Sequence, residues 1–235
     1  MNLFFSKDID AHSIVLTDDE AKHCTKVLRK TVGDEIHVID GNGNLYKARI
    51  DSVGKHDCVC SICEKTEHFG THSYYVRMCV APTKNIDRFE LFVEKAVEIG
   101  VDEIVPICCE NSERKVVKLD RIERIVLSAM KQSYKAQMPV IREMTDVKEI
   151  LSTAFSGKKC IAHCEEQQKQ LLRDVVVKGE EITILIGPEG DFSLDEISLA
   201  QKNNWIPISL GESRLRTETA AIAAVHTVEV MNETI

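Results

Sequence analysis

Two glycine loops, with Gly187 and Gly211 set 24 residues apart, are the places where this chain could do chemistry. Gly187-Pro188-Glu189-Gly190 breaks off the apolar, β-branched run at residues 182–186. Leu210-Gly211, leading into Arg214-Leu215-Arg216-Thr217-Glu218-Thr219-Ala220, follows a second such run at residues 206–210. Each reads as a buried strand, a tight loop and a starting helix. For the first helix Ser193-Leu194-Asp195-Glu196 fits a capping box, in which serine and glutamate side chains satisfy orphan amides. The first loop lacks the lysine and hydroxyl that a P-loop needs for phosphate and magnesium, and lacks the third glycine of a dinucleotide fingerprint. There is no G-x-S-x-G elbow and no H-E-x-x-H pair. Two such loops could share one pocket, with backbone groups suited to an adenine edge and ribose hydroxyls and with Ile186, Leu210 and Leu215 as apolar walls. The plainer alternative is two ordinary strand-to-helix turns.

The elements that must position these loops form a longer pattern. From residue 74 the chain alternates strand and helix: strand at 74–81, helix at 86–99 stopped by Gly100, strand at 103–108, and a long helix at 119–137 before Pro139. Strands at 159–163, 182–186 and 206–210 follow, each succeeded by a helical segment. The last helix, 217–231, contains Ala220-Ala221-Ile222-Ala223-Ala224-Val225, apolar on nearly every side, which implies burial, in part against a second subunit. The first 70 residues differ. Thr17-Asp18-Asp19-Glu20 opens a helix expected to run through Val27 and Leu28 and to end near Gly33. The segments 35–39 and 45–50 flank Gly41-Asn42-Gly43-Asn44 as a hairpin, and 58–62 adds a strand, so residues 1–70 read as a small β-rich barrel. Residues 67–73 are the linker to an α/β domain at 74–235.

Composition narrows the class. The chain has 235 residues, enough for two modest domains, and no apolar run near the ~20 residues of a membrane span. Its charged N-terminus is not a signal sequence, so a cytoplasmic protein is expected. Nine dispersed cysteines read as reduced thiols. The net charge of -8 argues against a general polyanion binder, yet residues 111–142 hold eight Lys and Arg against three Asp and Glu. That basic segment is a candidate footprint for phosphate, or simply a solvated helix face.

Gly187-Pro188-Glu189-Gly190 with Phe192, then Leu210-Gly211 and Arg214-Leu215-Arg216-Thr217-Glu218-Thr219-Ala220, resembles the 16S ribosomal RNA uracil-N3 methyltransferases, the RsmE family of the SPOUT superfamily. The likeness extends to Lys22-His23, Val27-Leu28-Arg29 and Gly33-Asp34 near the N-terminus, to residues 94–101 with Pro106 and Ser112-Glu113-Arg114, and to Gln132-Ser133 with Pro139. Asp191 departs from it, standing where the family commonly has a third glycine and bringing an acid to the loop. Lys135 and the order Ser213-Arg214 depart as well.

The resemblance implies an N-terminal PUA-like β-barrel and a C-terminal SPOUT α/β domain whose final loops are threaded into a trefoil knot. Pattern alone would give an unknotted doubly wound sheet. It implies a homodimer that binds S-adenosylmethionine in loops near His163, Gly187 and Gly211. The cofactor-binding residues implied are His163, Ile186, Gly187, Pro188, Glu189, Gly190, Leu210, Gly211, Leu215, Arg216 and Thr217. The substrate implied is 16S rRNA of the small ribosomal subunit, held by phosphate contacts from Lys22, Lys26, Arg29, Lys30, Arg114 and Lys131 with Gln132. Methylating uracil N3 requires loss of its proton or stabilisation of the imide charge on O2 and O4. Arg216 is the candidate for the second task, since a guanidinium donates hydrogen bonds and does not deprotonate. Glu218 is the candidate proton acceptor, or else a helix N-terminal acid favoured by the macrodipole.

Cys58, Cys60 and Cys63 are read as small core residues rather than a zinc site, because Cys63 points away from the other two along a strand, and no metal is expected. His163-Cys164 is not a nucleophile pair, as neighbouring strand residues face apart. Trp205 is read as core. Two other classes compete: a non-catalytic RNA-binding or ribosome-assembly protein of the same fold, and a nucleotide-dependent enzyme with a doubly wound sheet.

Overall fold

The structure, a computed structural model, describes residues 2–233. It resolves into two compact units, one comprising the chain through Thr71 together with Leu127–Met138, the other His72–Val126 with the chain from Pro139 onward.

The first unit is built on β1 (Leu3–Phe5), β2 (Ser13–Thr17), α1 (Asp18–Lys22), β3 (Glu35–Ile39), β4 (Leu45–Val53) and β5 (Asp57–Thr66), with a five-stranded sheet in the order β1-β3-β4-β5-β2. Burial alternates along β2 and β4, as a strand with one face on a core requires. Phe4, Ile14, Leu16, Val38, Ala48, Ile50, Cys58 and Cys60 fill the inner face. Register shifts between Lys47 and Ala48 and between Ile50 and Ser52 bend the β4–β5 pair, and bulges of this kind curl a sheet into a half-barrel. The expected hairpin is present, its turn held by the Asp40 carboxylate, which accepts from Asn42 N and Asn44 N.

The first helix is shorter than its sequence suggests. It passes into a π-helical turn at His23–Val27 and stops there, with Val27 65% exposed rather than in the core. Thr17 makes no side-chain cap, the hydroxyl of Thr25 bonds the carbonyl of Ala21 at 2.8 Å, and Leu28 N reaches back five residues to His23 O. Arg29 then turns left-handed at φ 55°.

The second unit contains β6 (Tyr75–Val80), α2 (Ile86–Ile99), β7 (Glu103–Cys108), the start of α3 (Leu119–Ser133), β8 (Val140–Ile141), β9 (Thr145–Asp146), α4 (Val147–Ser152), β10 (Lys158–Ala162), β11 (Gln170–Leu171), α5 (Leu172–Val175), β12 (Glu181–Ile186), α6 (Leu194–Lys202), β13 (Ile206–Ser209) and α7 (Thr217–Asn232). Its sheet is parallel, in the order β11-β13-β10-β12-β6-β7-β8, with β9 also on β7. Central β12 is buried along nearly its whole length, which is why its sequence is continuously apolar. Helix α2 starts at Asn85, whose side chain accepts from Asp87 N, and ends at Gly100, φ 137°. It buries Phe89, Phe92, Val93, Ala96 and Val97 and packs on α7. The capping box of α6 is formed in full by Ser193 and Glu196. Helix α3 ends four residues before Gln137: Ser133 Oγ bonds Ala129 O and Tyr134 turns left-handed at φ 57°. Trp205 lies in the core, its Nε1 donating to Leu151 O at 3.0 Å.

Candidate active site

Because β13, β10 and β12 are parallel neighbours, their carboxyl ends lie side by side, and the loops that leave them close on one cavity of about 640 Å³. Crevices at the carboxyl ends of parallel strands are the usual ligand sites of such sheets, and a few hundred to a thousand Å³ is the usual size. After β10 the wall is Ala162, His163 and Cys164, with Lys169. After β12 it is Ile186, Gly187, Pro188, Glu189 and Asp191, and after β13 it runs from Ile208 to Thr217. Ten of the eleven residues expected from sequence to hold a cofactor line it: His163, Ile186, Gly187, Pro188, Glu189, Leu210, Gly211, Leu215, Arg216 and Thr217.

Gly190 does not. Its carbonyl accepts from Asn111 Nδ2 at 3.1 Å, and a Cβ there would meet the Asn111 Cβ at 3.1 Å, so this glycine serves a close approach to the loop after β7. Gly211 serves the cavity differently. Open space surrounds it, but its φ of 129° is one that side chains disfavour. The turn is fixed by Ser209, whose hydroxyl donates to Gly211 O and accepts from Gly211 N. Thr217 Oγ1 donates to Gly187 O at 3.1 Å, tying the start of α7 to the loop after β12.

The cavity mixes charge. Its wall residues include the acids Glu189, Asp191 and Glu212 and the bases Lys169, Arg214 and Arg216, alongside apolar Ile186, Pro188, Ile208, Leu210 and Leu215. Such a wall suits a flat apolar ring joined to a tail bearing both signs of charge. Sequence reasoning missed Lys169, Cys164, Glu212 and Ser213 as wall residues. Lys169 carries no local signal, since it reaches the cavity only through an irregular loop, where its Nζ donates to His163 O at 2.7 Å. His163 is itself buried. Burial depresses its pKa below the ordinary value, Lys169 depresses it further and Asp191 opposes both. The ring is therefore neutral near pH 7. The Gln167 amide bonds its Nε2, which leaves Nδ1 as a buried donor with no partner among the described residues.

Arg216 is exposed at the N-cap of α7 and opens into the cavity. Glu218, only two residues on, does not line it. The carboxylate is buried, with one oxygen 3.9 Å from Arg88 Nε and the other without a hydrogen-bond partner among the described residues. The expected RNA contacts are more scattered. In the first unit Lys22, Lys26 and Arg29 are exposed and Lys30 is half-buried, all on or just after the first helix. Lys131 is paired with Glu20 at 2.5 Å, and Gln132 is exposed beside it. In the second unit Arg114 spends its guanidinium on Thr83 O and Lys84 O. Within the basic segment Arg121 is also paired, with Glu90, and Arg142 with Glu103.

A loop-lined cavity at the strand ends of a parallel α/β sheet, carried in a chain with a curled β unit, defines a ligand-binding α/β enzyme with an accessory β module. Comparison with known proteins names the family: the chain belongs to the RNA methyltransferases, whose domain model matches residues 71–229, and the model of the RNA methyltransferase PUA domain matches residues 16–63. It is 29% identical over 221 residues to the ribosomal RNA small subunit methyltransferase E of Rickettsia conorii, covering 93% of this chain and 90% of that one. Among solved structures it is similar to a "probable rRNA-methyltransferase" of Porphyromonas gingivalis, with 40% identity, a TM-score of 0.91 and coverage of 98% and 99% of the two chains. It is also similar to a Legionella pneumophila protein described as a methyltransferase and solved with the cofactor SAM bound, with 26% identity, a TM-score of 0.89 and coverage of 100% and 99%.

Proposed function

We propose that this chain methylates N3 of a uridine in 16S ribosomal RNA of the small ribosomal subunit, using S-adenosylmethionine, in the cytoplasm and as a homodimer. The observation that carries this reading is the single cavity shared by the loops after β10, β12 and β13, with Arg216 opening into it from the cap of α7. The residues present fit the cofactor. Ile186, Leu210 and Leu215 offer an apolar slot for adenine, and the exposed Glu212 and Arg214 of the wall match the charges of a sulfonium with an amino-acid tail. When bound there, S-adenosylmethionine supplies an electrophilic methyl group.

The chain's own residues supply the rest. Arg216 donates hydrogen bonds to a uracil oxygen as negative charge develops on the imide, a task worth most where water is displaced. Glu218, facing Arg88 rather than the cavity, keeps in this reading the role of an N-terminal helix acid. Lys22, Lys26, Arg29 and Lys30 supply phosphate contacts. The exposed Val230 and Met231 at the end of α7 support a second copy as partner, and the trefoil knot implied by the resemblance belongs to the same reading. Among the described residues no helix is long and apolar enough to cross a membrane. The test is nucleoside mass spectrometry of 16S rRNA from cells lacking the protein. Loss of one N3-methyluridine, restored by the wild-type chain, is the expected result, and an unchanged modification profile contradicts it.

A further inference from the structure

Asp191 occupies a left-handed conformation, φ 61°, that glycine adopts freely and an aspartate adopts at a modest cost when its side chain bonds the local backbone. Both oxygens of its carboxylate accept from backbone amides. Oδ1 accepts from Phe192 N at 2.8 Å, while Oδ2 accepts from Cys164 N at 2.7 Å, across 27 residues of sequence. Its backbone is held as well, with Asp191 N donating to Pro188 O and Asn111 Nδ2 donating to Asp191 O. The turn after β12 is thus rigid, and Asp191 reaches from it to the first amide beyond His163. That amide lies in the irregular segment 163–169, which has no ladder partner of its own. Asp191, Cys164, whose amide it holds, and His163 just before it are all cavity wall.

We propose that Asp191 is a positioning residue. Its carboxylate latches the 163–169 loop onto the turn after β12 and so preforms the cofactor cavity. The proposal rests on the cavity being the S-adenosylmethionine site. A latch of this kind lowers the ordering cost of binding without touching the reacting atoms. A residue whose conformation suits glycine, and whose side chain bridges two loops of one cavity, has its use in the bridge. Replacing it with glycine eases the turn and cuts the bridge, so fold stability and cofactor affinity should separate.

The full-length protein and its D191G and D191N variants would be compared by thermal melting, calorimetry with S-adenosylmethionine, and hydrogen exchange of the ligand-free chain read over residues 163–169. A charge-assisted hydrogen bond to a backbone amide corresponds to roughly a ten- to hundredfold change in affinity. D191G should weaken S-adenosylmethionine binding by about that factor, speed exchange at 163–169 and melt no lower than wild type. D191N, which keeps one acceptor oxygen, should fall between. Wild-type exchange at 163–169 in D191G would overturn the latch, as would wild-type affinity or a lowered melting temperature with affinity intact. A wild-type chain that binds no S-adenosylmethionine would instead overturn the reading of the cavity, while the exchange comparison still judges the latch.

Discussion

Arg216 and Glu218 sit two residues apart at the start of α7, yet the fold sends them to different places. Residue 216 is the cap, still in extended backbone, and projects at the cavity; residue 218 is in the first helical turn and is buried toward Arg88. Sequence could name both, since a donor and an acid belong to imide chemistry, but not which one meets a ligand. R216A should therefore leave S-adenosylmethionine affinity near wild type and lower kcat about a hundredfold, the usual effect of deleting one oriented donor. Steady-state kinetics with calorimetry separates the two. His163 gives a pH prediction. Its folded pKa lies below the ordinary 6.5, so the unfolded chain binds the proton more readily, and stability supplied by the neutral ring is present above pH 6.5 and lost as pH falls through the lowered value. Melting temperatures between pH 7 and 5 should fall more for wild type than for H163N. Equal slopes would count against a buried neutral histidine.

At the scale of elements, legibility follows locality. The β6–α2–β7 stretch could be read nearly to the residue, because α2 has clear helical spacing, begins at an Asn cap and stops at a glycine with φ 137°. The glycine loops and the Ser193 capping box were legible for the same reason. Two-residue strands β8, β9 and β11 and the four-residue α5 were not, since pairs that short exist only because a neighbouring strand is already in place. The π-helical turn and the early end of α3 were hidden in side-chain bonds from Thr25 and Ser133 back to their own helices. The loop after β13 can be tested as an element. G211A puts a Cβ on backbone at φ 129° with free space around it, so strain alone acts, at a cost of about 1–3 kcal/mol. A melting temperature lower by several degrees, with weaker cofactor binding, is expected by calorimetry. A variant as stable as wild type would show that the loop relaxes at no cost.

For the molecule as a whole, charge was the coarsest signal and the one most revised by structure. The net charge of -8 argued against a general polyanion binder while the basic segment at 111–142 suggested a phosphate footprint or a solvated helix face, and in that segment Arg114, Arg121, Lys131 and Arg142 are engaged within the chain. Lys22 is paired as well, with Asp19 at 3.5 Å, so the exposed Lys26 and Arg29 stand beside the exposed Lys115, Lys118 and Arg124 of the segment as candidates. If Lys26 contacts a phosphate, K26A should reduce the slope of log affinity for ribosomal RNA against log salt by about one; an unchanged slope marks it as merely solvated. The central claim, however, is that three loops make one cofactor cavity. A crystal structure of the protein with S-adenosylmethionine tests it most directly. The cofactor should lie between Gly187–Pro188 and Leu210–Leu215, with its adenine against Ile186 and Leu215. Density for it elsewhere, or none at saturating concentration, would contradict the account.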